Sequence, residues 1–165
     1  FLGIAGVGPR TAFVLDSSLS MKGKALDVLK AAVVESIRAM DPAAGFMVWF
    51  FGDESTPMPI PAGATVADGV VVLGQPGAAR DRVFRECRAW IAGHAASGDT
   101  FPLGALRAAA AVHPSTLFLV TDGVIQDERA DLVAVADQVG AAGGHVHVVL
   151  LTGSSHGTEI GRAHV

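Results

Sequence analysis

The chain has 165 residues, half of them apolar and 17% charged, with a formal net charge of −4. That length suits one domain with a sizeable core, and so mild an acidity leaves no electrostatic footprint for nucleic acid. Cys87 is the only cysteine, which excludes an intrachain disulfide, and no stretch approaches the roughly 20 apolar residues that span a bilayer.

The apolar run Ala12-Phe13-Val14-Leu15 predicts a first strand over 11–15. A helix is expected over 22–40. Leu26, Leu29, Val33, Ile37 and Met40 recur there at three- and four-residue steps, while Lys24, Asp27, Lys30 and Arg38 lie off that stripe. Asp41-Pro42 stops it. The continuous run Phe46-Met47-Val48-Trp49-Phe50-Phe51 reads as a strand buried on both faces. The Pro- and Gly-rich span 52–77 is expected to hold short edge strands near 58–60 and 70–73. Helices follow over 78–92, with Val83, Cys87, Trp90 and Ile91 inward, and over 103–112. Leu117-Phe118-Leu119-Val120-Thr121 predicts another strand, 129–139 a helix ended by Gly143-Gly144, and 146–151 a last strand. Strand and helix alternate, which predicts an α/β, Rossmann-like three-layer sandwich: a mostly parallel central sheet with helices on both faces.

Chemistry gathers where strands end. Asp16-Ser17-Ser18-Leu19-Ser20 follows the first strand and places a carboxylate and two hydroxyls at alternate positions. These are hard oxygen donors, suited to Mg²⁺ rather than a soft metal. Thr100 lies in the small polar loop Ser97-Gly98-Asp99-Thr100, and Asp122 ends the Leu117 run with Gly123 after it. Each has a plainer reading. Asp16, Ser18 or Ser20 can cap the helix that follows, Thr100 can start a helix before Phe101-Pro102, and Asp122-Gly123 is a common turn pair.

Taken together, DxSxS, a distant Thr and a strand ending Thr121-Asp122-Gly123 resemble the metal-ion-dependent adhesion site of bacterial-type von Willebrand factor A domains. Ser20-Met21 and the strand end Phe50-Phe51-Gly52 fit that resemblance, which covers roughly residues 11–151. It implies that Asp16, Ser18, Ser20, Thr100 and Asp122 ligate Mg²⁺, for which Mn²⁺ could substitute. It also implies a non-catalytic role: the open metal position is completed by an Asp or Glu of a protein partner. Many relatives are cell-surface or secreted, and others act inside the cell as assembly factors, so the resemblance leaves the compartment open while favouring the surface slightly. Leu19 stands where many relatives carry Gly, so its bulk could narrow or grease the approach; Asp99 precedes Thr100 where Gly is common, and three readings of it stand open: its carboxylate strengthens metal binding, repels an acidic ligand, or simply faces solvent. Both are assigned to the partner-facing rim. An enzymatic alternative is a haloacid dehalogenase-like phosphotransferase with Asp16 as nucleophile. That chemistry wants a second Asp two residues on, where this chain has Ser18, a good ligand and a poor general acid. A metal-free structural module is the third reading.

Other features carry less. His145 and His147 share a strand face, yet no Cys or third His is placed to complete a zinc set. His94 and His113 flank helix ends and read as caps or solvated groups. Met21, Met40 and Met47 read as core filler, and Cys87 as inert. Gly3-Ile4-Ala5-Gly6-Val7-Gly8 precedes a strand and lacks dinucleotide spacing, and Lys22-Gly23-Lys24 lacks the upstream glycines of a phosphate loop. Residues 1–158 are expected to form one domain truncated at both ends, with Phe1-Leu2-Gly3-Ile4 the inside of a strand and no C-terminal helix. Glu159-Ile160-Gly161-Arg162-Ala163-His164-Val165 reads as the translation of a sequencing adapter.

Overall fold

Strands in the middle of a sheet covered on both faces have no polar side, and the apolar runs of this chain behave accordingly. The computed structural model describes residues 8–123, 125–154 and 157–164, with the backbone alone from 152 onward. Residues 1–7, including the strand-like opening run, lie outside the described residues, as does Val165. The elements are β1 (Arg10–Asp16), a 3-10 turn (Leu19–Met21), α1 (Lys24–Ala39), β2 (Gly45–Phe51), β3 (Ser55–Pro57), β4 (Thr65–Ala67) and β5 (Val70–Val72). They continue with α2 (Ala78–Gly93), α3 (Leu103–Ala110), β6 (Thr116–Thr121), α4 (Arg129–Ala141), β7 (His145–Ser154) and β8 (Gly157–His164).

The strands form one sheet in the order β4-β5-β2-β1-β6-β7-β8, with β3 on β2. Its centre is parallel: β1 pairs with β2 and β6, and β6 with β7. The shorter β3, β4 and β5 and the final β8 attach antiparallel. Register sorts the core into two faces. Phe13 sits beside Val48 and Phe118, and Leu15 beside Phe50. Trp90 of α2 packs at 5.4 Å from Phe50 on that face. The opposite face carries Leu117, Leu119, Val146 and Val148, covered by Leu106 of α3 and by Leu132 and Val135 of α4. Helices thus lie on both faces, the three-layer arrangement expected. Across the first face the rings of Phe13, Phe118 and His147 stack on three adjacent strands, with centroids 5.7 and 5.2 Å apart. His147 is therefore part of a core stack.

The helix stripes hold: Leu26, Leu29, Val33 and Ile37 are buried, as are Val83, Cys87 and Ile91, whereas Trp90 is half-buried. Differences have local causes. α1 starts at Lys24 because Gly23, at φ 91°, turns the chain before it. Residues 58–60 are not a strand; Pro59 and Pro61 lack the N–H a ladder needs, so β3 sits at Ser55–Pro57. Met58 still donates its N–H to Val48 O at 2.8 Å and buries its side chain. The segment after 151 was expected to add no strand. Instead β7 runs to Ser154 and β8 returns beside it, because backbone pairing fills an open edge whatever the side chains are. Among the described residues no helix follows β7, and none is long and apolar enough to cross a membrane.

Cys87 is buried on α2, and burial, with Glu86 second, pushes its thiol up to about 12. Iodoacetamide at pH 8 is expected to leave the folded chain unlabelled and to label it once urea unfolds it, as mass spectrometry reads directly.

Candidate metal and docking site

The chain leaves β1 toward β2 on one side and later returns through β6 on the other, so the C-terminal ends of β1 and β6 form a topological switch point. Asp16 ends β1 there and is wholly buried. Its Oδ1 accepts the Ser18 N–H at 2.8 Å, and its Oδ2 accepts the Thr121 hydroxyl at 2.6 Å. Thr121 Oγ1 in turn accepts the Gly123 N–H at 3.2 Å, which ties the turn carrying Asp122 to the first loop. The carboxylate is thus fixed by two neutral donors. The ion pairs of the described residues lie elsewhere, at Arg10–Asp68, Glu35–Arg38 and Arg107–Asp131. A buried carboxylate with no cation beside it carries a standing desolvation cost that a divalent ion would offset.

Ser18 Oγ and Ser20 Oγ stand 2.9 Å apart. The two hydroxyls share a hydrogen bond, and their separation also equals the octahedral edge of about 2.9 Å set by magnesium–oxygen bonds of about 2.0–2.1 Å. Ser18 is buried and Ser20 exposed, so the pair runs from the interior to the surface. Asp122 Oδ1 is buried and has no hydrogen-bond partner. Such orphaned acceptors are uncommon and point to an ion or water that completes them. The donor set fits a hard divalent cation on both counts.

Thr100 is buried in a loop stitched to both neighbours. Leu19 N–H donates to Gly98 O at 3.0 Å, Ser97 N–H to Ser17 O at 2.7 Å, and Gln126 N–H to Thr100 O at 3.0 Å. The three loops bearing the five expected residues are therefore joined by their backbones. Capping does not employ them. The residue before α1 is Gly23 and that before α3 is Pro102; neither helix start, nor the 3-10 turn after Ser18, has a side-chain cap bond. Asp127, unremarked in the sequence, accepts the Leu103 N–H at 2.6 Å and holds the start of α3 instead.

Of the rim residues, Leu19 is 60% exposed and Asp99 is exposed, with its N–H bound to Asp53 Oδ1 at 2.8 Å. Among the described residues no three His, Cys, Asp or Glu side chains cluster as metal ligands.

His94 corrects its expected role. Its N–H does end α2 on Ile91 O, but the ring is half-buried, stacked on Phe50 at 4.0 Å and 6°. Its Nε2 lies 3.0 Å from Ser17 Oγ. Ser17 donates its one hydroxyl proton to Phe51 O at 2.9 Å, so Nε2 must be the donor in this contact. The imidazole already carries a proton where a general base would have to take one, so the pair is not set up as nucleophile and base. No local spacing announces a contact between residues 77 positions apart.

Burial, and secondarily the charge of Lys30, lowers the His94 pKa from its ordinary value of 6.5. The fold therefore favours neutral His94. Its contribution is present above about pH 6.5, the unfolded value, and is lost as pH falls through the lower folded pKa. Unfolding midpoints measured from pH 7 to pH 5 are expected to fall more steeply for the wild type than for His94→Phe.

No protein-family model and no curated protein matches the chain. Solved structures do. A von Willebrand factor type A protein from Catenulispora acidiphila superimposes with a TM-score of 0.67 at 18% identity, over 84% of this chain and 32% of that one. An aerotolerance-related membrane protein from Bacteroides fragilis gives 0.62 at 14% identity, over 95% of this chain and 82% of that one. The von Willebrand domain of the type V pili tip protein Mfa5 from Porphyromonas gingivalis gives 0.52 at 14%, over 76% of this chain and 44% of that one. The chain spans less than half of the Catenulispora and Porphyromonas structures it matches. Its fold is that of von Willebrand factor A domains.

Proposed function

We propose that this chain is a Mg²⁺-dependent, non-catalytic protein-docking domain. In this reading Asp16, Ser18, Ser20, Thr100 and Asp122 hold the cation, and an Asp or Glu of the partner completes its coordination. The observation that carries the reading is the hydrogen-bonded Ser18–Ser20 hydroxyl pair at 2.9 Å beside the buried carboxylate of Asp16, which no ion pair among the described residues engages. The orphaned Asp122 Oδ1 supports it. When bound, the ion supplies an electrophilic position that a carboxylate can occupy.

Each residue has a distinct task. Ser18 and Ser20 are neutral donors, so they leave the positive charge undiminished. Asp16 and Asp122 bring two negative charges, enough to balance a divalent ion without an excess. Thr121 and the Ser18 N–H hold the Asp16 carboxylate in one orientation, which removes an entropic cost of binding. A cell-surface or secreted location is part of the proposal, in keeping with the type V pili tip protein among the similar folds.

The test is Mn²⁺ titration followed by NMR. Paramagnetic broadening is expected first at the amides of Ser18, Ser20, Thr100 and Asp122, reversed by EDTA. Mg²⁺ at 100 times its dissociation constant should add about 2.7 kcal/mol of stability, or about 2–4 °C of midpoint per kcal/mol. Uniform broadening and an unchanged midpoint would support the metal-free module instead.

A further inference from the structure

Every polar atom of Ser17 is engaged, although Ser17 is not among the residues proposed to hold the ion. Its N–H donates to Phe51 O at 2.8 Å, and its hydroxyl donates to the same carbonyl at 2.9 Å. Its own carbonyl accepts the Ser97 N–H at 2.7 Å, and its Oγ accepts the His94 Nε2–H at 3.0 Å. Asp16 on one side of it is tied to Thr121 of β6, and Ser18 on the other to Ser20. Ser17 is 2% exposed, so water offers no substitute for these bonds. The turn between two proposed ligands is thus pinned to β2 and to the segment after α2.

His94 is itself fixed from three directions. Its N–H ends α2 on Ile91 O, its ring stacks on Phe50 at 4.0 Å and lies 5.9 Å from Trp90, and its carbonyl accepts the Lys30 ammonium. Lys30 also donates to Ala92 O at 3.1 Å, so α1 clamps the end of α2 that carries the ring. A ring so constrained gives its Nε2 proton one direction, and that direction is Ser17. A phenyl group would stack on Phe50 as well; the hydrogen bond is what the imidazole adds.

A Mg²⁺ site needs this kind of support. The ion demands a near-ideal octahedron, and groups that orient its ligands are commonly worth about 10–100-fold in affinity. Rotation of the peptide between Ser17 and Ser18 would pull the Ser17 carbonyl from Ser97 and the Ser18 N–H from Asp16 Oδ1 together.

We propose that His94 is a positioning residue for the metal-binding turn: by holding the Ser17 hydroxyl it fixes the peptide that orients Asp16 and Ser18. The proposal rests on the metal-dependent reading above and adds to it a residue that is no ligand itself.

His94→Phe keeps a ring on Phe50 and loses the proton, whereas His94→Gln offers an N–H in its place. In EDTA, amide hydrogen exchange at Ser18 and Leu19 is expected to be about tenfold faster in His94→Phe and to return to the wild-type rate in His94→Gln, with Phe13 and Leu119 unchanged in both. Calorimetric titration with Mg²⁺ should show binding about tenfold weaker in His94→Phe and restored in His94→Gln. Ser17→Ala should weaken it equally, and Ser17→Ala/His94→Phe no further, because the two residues act as one unit. Unchanged exchange at Ser18 and Leu19 in His94→Phe, or additive losses in the double variant, would overturn the proposal. So would faster exchange at Phe13 and Leu119 as well, since His94 would then support the core at large. A glutamine that restores neither exchange nor affinity would overturn it too. A wild type that binds no Mg²⁺, with the exchange difference present, would overturn the metal reading and leave His94 as the residue that fixes this turn.

Discussion

In Asp16→Ala, Mg²⁺ leaves the unfolding midpoint where EDTA left it, and Mn²⁺ no longer broadens Ser18, Ser20, Thr100 or Asp122. The substitution removes one of the two negative charges assigned to the ion. It also strands two donors, the Ser18 N–H and the Thr121 hydroxyl, which both end on the Asp16 carboxylate. A buried donor without an acceptor costs about 1–3 kcal/mol, so the alanine protein should also be less stable in EDTA. Asp16→Asn separates these effects. Its Oδ1 keeps the Ser18 N–H, and its Nδ2 can donate to Thr121 Oγ1. The apo midpoint should then change little while metal affinity falls about 100-fold, equivalent to about 2.7 kcal/mol. Wild-type Mn²⁺ affinity in the asparagine protein would sink the metal site.

The sequence was most readable where one requirement dominated. Residues 46–51 and 117–120 had to be strands of a covered sheet, because nothing in them tolerates water on either side. The candidate-site loops stand out in the sequence because carboxylates and hydroxyls end those strands in segments rich in small residues. Thr121 was harder, since it closes a strand by pattern, while its work is to hold Asp16 from a strand whose partner lies 105 positions away. Ser17 and His94, Asp53 and Asp99, and Asp127 and Leu103 are likewise long-range pairs. Their partners are chosen by the sheet order, which brings the ends of β1, β2 and β6 together, and no local spacing encodes that. The edge strands blurred for a different reason. Short, Pro-interrupted segments pair through whatever N–H groups remain, so Ser55–Pro57 was preferred to the more apolar 58–60.

The loop carrying Thr100 owes its position to the absence of a side chain at residue 98. Gly98 has φ +72°, and a Cβ there would lie 2.7 Å from Asp53 N and 2.5 Å from Asp53 Oδ2. The carboxylate could swing aside, but the backbone nitrogen belongs to the turn leaving β2. Next to it, a Cβ on Gly52 would meet Ser97 O at 2.4 Å, so the two loops pack backbone to backbone from both sides. Gly98→Ala therefore combines a left-handed backbone, costing of order 1–3 kcal/mol for a non-glycine residue, with a contact relieved only by separating the loops. Separation breaks Leu19 N–H to Gly98 O and Asp99 N–H to Asp53 Oδ1, the bonds that register Thr100 against Ser18 and Ser20. The expected result is a modest fall in midpoint in EDTA and a loss of Mg²⁺ affinity of at least tenfold. Calorimetric titration checks the second and thermal unfolding the first. A large fall in stability with unchanged metal affinity would mean that the loop junction supports the fold and not the site.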